Sequence, residues 1–266
     1  MLSFIDTHCH LDAPEFTADR DAVVARAQAA GVQTLVVPAI TAGTLDLTLA
    51  MRRAYGCPLA LGLHPIYVDQ HDTAALTTLR ARVEQEMPVA IGEIGLDFFV
   101  DGLDRERQLE VFRAQLKLAL EFDLPVLLHV RRAQDEVLRE LRRYRPRAGI
   151  AHAFNGSRQQ ADAFIKLGFK LGFGGAMTFE RALNLRRHAV ELPLESIVLE
   201  TDAPDISPEW AYKQRNEPAY LPRIATVLAE LRQIDIATVA AQTSENARQV
   251  LGPVAITKPM AASLPQ

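Results

Sequence analysis

Strand-like and helix-like segments alternate along almost the whole chain, and this alternation limits the possible folds more than any other feature. Short apolar runs are each followed by a longer stretch with apolar residues at helical spacing. The predicted strands lie at residues 2–6, 34–39, 59–63, 89–94, 125–128, 149–153, 169–173 and 196–200. The predicted helices lie at residues 19–30, 44–55, 73–86, 104–122, 134–144, 157–167, 180–191, 219–232 and 236–251. Eight strand-then-helix units with short links predict a parallel sheet.

Eight successive units favour a sheet that closes on itself, which is a (β/α)8 TIM barrel of the α/β class. The alternative is an open doubly wound sheet, which would carry a glycine-rich phosphate loop after the first strand. His8, Cys9 and His10 occupy that place instead. The 266 residues suit one barrel with little left over. We expect one barrel domain over residues 1–252 and a loose tail rich in proline and alanine over 253–266.

Side chains that can bind metals stand at the C-terminal ends of the predicted strands. His8 and His10 follow the first strand one residue apart, so both point to the same side of an extended segment. The corresponding residues on later strands are His64, Glu93, His129, His152 and Asp202. A barrel brings these strand ends together at one mouth. A single histidine of this kind could simply be hydrogen-bonded, but the whole set predicts a metal centre.

The set divides between two predicted metal sites. The first takes His8, His10 and Asp202, and the second takes His129 and His152. Glu93 lies between the two sites in strand order and can bridge them with its two oxygens. We therefore expect two divalent ions per chain, and Mg²⁺, Mn²⁺ and Zn²⁺ all suit such ligands. Paired ions can activate a water molecule, and Asp202 could take the proton from it, so Asp202 and Glu93 are the candidate catalytic residues.

The strand-end motifs resemble, in their order, those of the TatD family of metal-dependent hydrolases, which are amidohydrolase-like TIM barrels. They run nearly to the tail and comprise Ile5-Asp6-Thr7-His8-Cys9-His10-Leu11-Asp12, Leu61-Gly62-Leu63-His64-Pro65, Gly92-Glu93-Ile94-Gly95-Leu96-Asp97, Leu127-Leu128-His129-Val130-Arg131, His152-Ala153-Phe154-Asn155-Gly156-Ser157, Glu200-Thr201-Asp202-Ala203-Pro204, Arg215-Asn216-Glu217-Pro218 and Ser244-Glu245-Asn246-Ala247. The resemblance implies a deoxyribonuclease-type hydrolase with the same six metal ligands. It also implies that His64 contacts the substrate near the metals. The loop at 205–215 departs from the nuclease members because it lacks their small basic run.

Phosphate binding by this chain must be local, because a net charge of −4 does not suit a surface that coats nucleic acid. Arg131 and Arg215 follow the fifth and eighth strands and are the candidate substrate-binding cations. An arginine fork matches the geometry of a phosphate. The alternative is that Arg131 or its neighbour Arg132 pairs with Asp135 or Glu136 on the next helix, and that the Arg215 loop is only solvated.

The expected function is an exonuclease-type deoxyribonuclease that hydrolyses phosphodiester bonds at single-strand DNA ends. One alternative is an amidohydrolase or esterase acting on a small ester, an amide or an aminoacyl ester. Amidohydrolase barrels often carry a modified lysine on strand four, and Glu93 at that place favours phosphodiesters. The other alternative is a catalytically silent binding barrel, which the intact ligand set disfavours.

The remaining features predict the surroundings of the enzyme. Two cysteines make no disulfide framework, so a reducing compartment is expected. The sequence shows neither a signal peptide nor a run long enough to span a bilayer. We therefore expect a cytoplasmic enzyme without a membrane partner, and a monomer. His71 and His188 lie away from the strand ends and are expected to be solvated.

Overall fold

The computed structural model describes residues 2–258. Its strands β1 to β9 are Phe4–Asp6, Val32–Leu35, Val37–Pro38, Leu59–Leu61, Ala90–Asp97, Val126–Arg131, Gly149–Ala151, Phe169–Phe173 and Ile197–Leu199. Its helices α1 to α9 are Arg20–Ala29, Leu45–Tyr55, Thr73–Glu86, Arg105–Glu121, Gln134–Tyr144, Arg158–Lys166, Leu183–Glu191, Leu221–Arg232 and Ile236–Leu251. Every strand pair in this part of the chain is parallel, as the alternation predicts.

The sheet closes into a barrel, which confirms the predicted fold. The second predicted strand is interrupted at Val36, so that β2 pairs with β1 and β3 pairs with β4. The hydrogen bonding between the first two barrel strands continues at Val36, since its N–H donates to the carbonyl of Asp6 at 2.9 Å. From β3 to β9 each strand pairs with the next strand along the chain. The ring is completed where the N–H of Thr7 donates to the carbonyl of Leu199 at 3.1 Å.

Strands β5 and β6 extend further toward the mouth than the sequence predicts. Strand β5 ends at Asp97 and β6 ends at Arg131, so Glu93 and His129 lie within strands and not at their ends. Gly95 pairs with His129 and has a φ of +146°. A Cβ at Gly95 would collide with the carbonyl oxygen of His129, so this close approach requires glycine. The two strands thereby carry their side chains up to the mouth.

An apolar layer fills the barrel below the candidate ligands. It is formed by Ile5, Val36, Ala60, Ala90, Leu127, Ile150 and Val198, and α9 covers it from below with Ala247, Val250 and Leu251. Side chains two positions apart on a strand share a face. The inward position of Leu127 therefore directs His129 into the barrel, and that of Ile150 directs His152. Alternation thus places the ligands above a dry floor.

Helices α3, α4, α6 and α9 begin with a polar side chain that accepts from a backbone N–H of the first turn. The side chain of Asp72 accepts from Ala75 N at the start of α3, and that of Asp104 accepts from Arg107 N at the start of α4. Ser157 begins α6 with a capping box. Apolar residues on the outer face of the sheet and on the helices that pack against it form the larger of two cores. None of the helices within residues 2–258 combines the length and apolarity needed to cross a membrane.

The first part of the predicted loose tail packs against the barrel. Thr257 is fully buried, its N–H donates to the carbonyl of Gln33 at 2.8 Å, and its hydroxyl accepts from the N–H of Leu35 at 2.9 Å. The N–H of Lys258 donates to the carbonyl of Tyr55 at 2.8 Å. The expectation of a loose tail is therefore wrong for residues 253–258. Residues 259–266 lie outside the described part of the chain.

Candidate metal centre

Glu93 is buried at the centre of the mouth, and its two carboxylate oxygens face different histidines. Oε2 lies 3.0 Å from His8 Nε2 and 3.6 Å from His10 Nε2. Oε1 lies 3.2 Å from His64 Nε2 and 3.1 Å from His129 Nδ1. One carboxylate therefore faces two groups of imidazoles, which is the geometry that a bridging ligand requires.

Asp202 faces the same centre from the segment after β9. Its Oδ1 lies 3.7 Å from His8 Nε2, 3.6 Å from His10 Nε2 and 3.9 Å from His152 Nε2. His152 Nε2 also lies 3.7 Å from Glu93 Oε1, so it stands between the two groups. The side chain of Asp202 is 13% exposed, which leaves it open to the mouth. All six predicted ligands therefore lie in one cluster.

The cluster fits a divalent metal by its donor set. Three overlapping groups have all their ligand atoms within 4.8 Å of one another: His8, Glu93 and His152; His8, His10 and Asp202; and His64, Glu93 and His129. Donors bound at about 2.1 Å to a tetrahedral ion lie about 3.4 Å apart, which is close to the spacing here. The rings of His8 and His152 stack at 3.8 Å between centroids. Such crowding disfavours protonation of both rings at once, whereas a metal cation can be bound by neutral imidazoles and by the carboxylates together.

His64 is a hydrogen-bond donor in this arrangement. Its Nδ1 accepts from the N–H of Ile66 at 3.2 Å, so a neutral ring carries its proton on Nε2. Burial lowers the pKa of His64 to about 4 and keeps the ring neutral. Nε2–H therefore points at Glu93 Oε1, 3.2 Å away. A metal at Nε2 would require this proton to move to Nδ1, where the N–H of Ile66 already donates, which favours the substrate contact that the family resemblance implies for His64.

Two carboxylates behind the centre orient the histidines on β6 and after β7. His129 Nε2–H donates to Asp97 Oδ2 at 3.0 Å, which leaves Nδ1 facing Glu93. His152 Nδ1–H donates to Glu200 Oε1 at 3.1 Å, which leaves Nε2 facing the centre. Such partners fix the tautomer of a ligand and raise its basicity.

The electrostatics keep the cluster ready to bind a cation. Burial acts to raise the pKa of Glu93, but the imidazoles of His64 and His8 outweigh it and hold this pKa well below its usual range. Burial also lowers the pKa of His8. Burial acts in the same way on His152, but Asp202 and the other carboxylates outweigh it and raise the pKa of His152 to about 10. A metal would therefore displace a proton from the free Nε2 of this ring.

Asp6 links the first ligand strand to the last. Its Oδ1 accepts from His8 N at 3.2 Å and from Thr201 N at 3.0 Å, and its Oδ2 accepts from Thr201 Oγ1 at 2.5 Å. Burial raises the pKa of Asp6 to about 8 despite these bonds. Asp6, Asp97 and Glu200 were not among the predicted site residues. The available signal was a carboxylate in an apolar strand within a few residues of each ligand.

We expect Glu200→Gln to lower the metal affinity of the His152 site by about 10–100-fold while the fold is kept. Gly172 makes room for Glu200, since a Cβ at Gly172 would collide with its carboxylate, so the isosteric amide is tolerated. The neutral amide polarises the imidazole less. Calorimetric titration of metal-free protein with Zn²⁺ or Mn²⁺ measures the effect, and the melting temperature controls for folding. Unchanged affinity would show that Glu200 serves only the backbone of Ala153, whose N–H it accepts at 2.5 Å.

The predicted substrate cations differ in their surroundings. Arg215 pairs with both oxygens of Asp19 at 2.7 and 2.8 Å and lies over the ring of Phe16. This pairing argues against a phosphate-binding role for Arg215. Arg131 and Arg132 lie over the ring of Phe99 and form no ion pair with any residue in 2–258. The alternative pairing with the next helix is therefore not observed.

The two remaining histidines are buried, which corrects the expectation that they are solvated. His71 Nε2–H donates to the carbonyl of His64 at 2.8 Å and so supports the turn that presents this residue. His188 Nε2–H donates to the carbonyl of Gly156 at 3.0 Å. Both rings therefore satisfy loop carbonyls that would otherwise be buried without a partner.

Residues 5–252 match the sequence profile of a family described as TatD-related DNase. Over 235 residues the chain is 45% identical to YjjV of Escherichia coli, described as an uncharacterized metal-dependent hydrolase, with 86% of this chain and 90% of YjjV covered. Over 256 residues it is 36% identical to a protein of Erwinia amylovora named 3′-5′ ssDNA/RNA exonuclease TatD, with 93% and 99% covered. The crystal structure of YjjV superposes with a TM-score of 0.91 at 42% identity, covering 94% of this chain and 98% of that one. The similarity extends over the whole barrel.

Proposed function

The chain belongs to the TatD-related DNase family of metal-dependent hydrolases, and on this premise we propose that it is a nuclease that cleaves single-stranded DNA from an end. The observation that carries the proposal is the placement of Glu93, whose two oxygens face separate groups of histidines. Paired metal sites of this kind suit the in-line displacement of a phosphodiester. The name of the Erwinia amylovora relative, which specifies single-stranded DNA and RNA, supports the substrate class.

We propose two divalent ions, with Glu93 bridging them. The first ion would be held by His8, His10 and Asp202, and the second by His129 and His152. Ions bound there would polarise a phosphoryl oxygen and lower the pKa of a bound water. Mixed imidazole and carboxylate donors suit Zn²⁺ and Mn²⁺ and tolerate Mg²⁺, so metal analysis decides the identity.

The residues around the proposed ions would have separate catalytic and binding roles. Asp202 is open to the mouth and can accept the proton of the attacking water. His64 can donate its Nε2 proton to an oxygen of the substrate, since this nitrogen faces the centre. Arg131 lies over the ring of Phe99, forms no ion pair within residues 2–258 and can hold a phosphate beside the scissile bond.

We expect cleavage of linear single strands to exceed cleavage of closed circles, because the mouth admits a strand end more readily than a continuous duplex. The net charge of −4 also disfavours binding along a duplex. The assay uses metal-loaded protein with 5′- and 3′-labelled single-stranded DNA and RNA, double-stranded DNA and closed circles, with EDTA as the control. Equal cutting of circles and linear strands would contradict action from an end. Turnover of esters or amides with no action on nucleic acid would establish the amidohydrolase or esterase alternative.

We also propose the cytoplasm as the site of action and a monomer as the active form. Cys9 and Cys57 are both free and buried, which suits a reducing compartment. The proposed ligands all come from one chain, so the centre needs no residue from a second copy. Light scattering of the purified protein tests the monomer, and fractionation of the source cells tests the location.

A further inference from the structure

Two arginines share one exposed aromatic ring at the mouth. The guanidinium carbon of Arg131 lies 3.8 Å from the centroid of the Phe99 ring, and that of Arg132 lies 4.6 Å from it. Phe99 is 42% exposed, although it is a large apolar residue. An exposed ring that carries two cations is better suited to contact a ligand than to stabilise a core.

The backbone of Arg132 brings the two side chains to the same place. Successive side chains of an extended strand point to opposite faces, so Arg131 and Arg132 would normally diverge. Arg132 instead has a φ of +53°, in the left-handed region that residues with a side chain seldom adopt. This turn at the end of β6 directs both guanidiniums to Phe99. Unfavourable backbone geometry of this kind is typical of functional sites.

Both guanidiniums lie against the same ring and have no acidic partner within residues 2–258. The nearest acidic candidates in sequence are engaged elsewhere. Asp135 accepts from the side chain of Gln160 at 2.8 Å, and Glu136 pairs with Arg139 at 2.5 Å. Two unpaired guanidiniums held on one ring repel each other, and an anion bound next to them offsets that repulsion.

The arrangement is fixed to the proposed metal centre. Arg131 shares a strand face with His129 and lies two residues, or about 7 Å, further toward the mouth. Asp97 Oδ1 accepts from the N–H groups of Phe99 and Val100 at 2.8 and 3.0 Å, while its Oδ2 accepts from His129. One carboxylate therefore orients both a proposed metal ligand and the turn that presents the ring.

We propose that Phe99, Arg131 and Arg132 form a phosphate-binding subsite for single-stranded nucleic acid. The two guanidiniums hold a phosphodiester next to the scissile one, and Phe99 is the positioning residue that keeps them together. The subsite rests on the proposed nuclease function. It extends that function, because it makes the enzyme prefer a strand with several phosphates over an isolated phosphodiester.

The first test compares Arg132→Ala with Arg143→Ala. Arg143 is a matched control, since it lies over the ring of Tyr144 at the C-terminal end of α5, away from the mouth. Affinity of metal-loaded protein for a phosphorothioate single-stranded octanucleotide is measured by fluorescence anisotropy over a range of salt. Arg132→Ala should weaken binding about threefold to fivefold and reduce the salt slope by about 0.7, the value for one lost phosphate contact on a single strand. Arg143→Ala should match the unmodified protein.

The second test separates positioning by Phe99 from a structural role. Phe99→Ala should lower the ratio of kcat/KM for the same octanucleotide with ordinary phosphodiester linkages to kcat/KM for bis(4-nitrophenyl) phosphate, a diester with no neighbouring phosphate. Phe99→Tyr, which keeps the aromatic face, should restore this ratio. A merely structural role would change both substrates alike and leave the ratio fixed.

The outcomes distinguish the subsite from the nuclease itself. Normal hydrolysis of the octanucleotide, with Arg132→Ala and Arg143→Ala equal in affinity and salt slope, would overturn the subsite alone. A protein that neither binds nor hydrolyses any nucleic acid but turns over esters or amides would overturn both proposals. A selective loss in the Arg132 and Phe99 variants, with rescue by Phe99→Tyr, would support both.

Discussion

Glu93→Ala is expected to lower the metal content of both sites and to reduce kcat by about 10³-fold or more. Within residues 2–258, Glu93 alone among the carboxylates lies next to both His8 and His129: its Oε2 lies 3.0 Å from His8 Nε2, and its Oε1 lies 3.1 Å from His129 Nδ1. Removing this buried carboxylate would take a ligand from each of the two proposed ions and leave the imidazoles facing one another. Loss of the proposed pair of ions would remove both water activation and charge stabilisation, which together contribute much of the rate enhancement in phosphoryl transfer.

Elemental analysis of the ions bound per chain measures this effect, together with single-turnover kinetics on a labelled oligonucleotide. Glu245→Ala is a matched control, because Glu245 is an exposed glutamate on α9 whose nearest cation is Arg248 at 3.8 Å. It should keep full metal content. One tightly held ion that Glu93→Ala leaves unaffected would disprove the bridging role. The melting temperature of the metal-free proteins shows whether a loss of metal is only a loss of fold.

Asp202→Asn is expected to lower kcat by about 10²–10⁴-fold while KM changes much less. Oδ1 of Asp202 lies 3.6 Å from His10 Nε2 and 3.7 Å from His8 Nε2, and its side chain is open to the mouth. An amide is a poor metal ligand and cannot accept the proton of the attacking water. The proposed phosphate contacts involve Arg131 and not Asp202, so substrate binding should largely persist.

Asparagine is a suitable replacement because it suits the backbone at this position. Asp202 has a φ of +57°, and asparagine is among the residues that tolerate the left-handed region. The N–H of Asp202 donates to the carbonyl of His8 at 2.8 Å, and this bond does not depend on the side chain. Steady-state kinetics with calorimetric melting gives both readouts. A near-normal kcat with a lowered melting temperature would mean that the carboxylate only stabilises the turn before Pro204.

The sequence by itself determined the order and type of the elements and the places where chemistry could occur. Helices α3, α5 and α9 span 73–86, 134–144 and 236–251, as predicted. These features depend on local patterns, because apolar spacing, capping residues and turns act within a few residues along the chain. The closed parallel sheet follows from the repetition of one strand-then-helix unit. Its closure brings the C-terminal ends of the strands together. The roles of the predicted metal ligands remain predictions.

Only the tertiary structure decided how side chains far apart in sequence share partners. The sequence makes Arg215 a candidate phosphate ligand, and only the fold shows that it pairs with Asp19, 196 positions away. The sequence predicts that His71 and His188 are solvated, but in the fold both rings are buried and hydrogen-bond to loop carbonyls. Glu200 could be recognised as an orienting residue only once its contact with His152 was known. Such contacts depend on which distant segments become neighbours, and on which opposite charge or hydrogen-bond partner then lies nearest in the buried interior. The pattern of residues along one strand or helix carries no information about either.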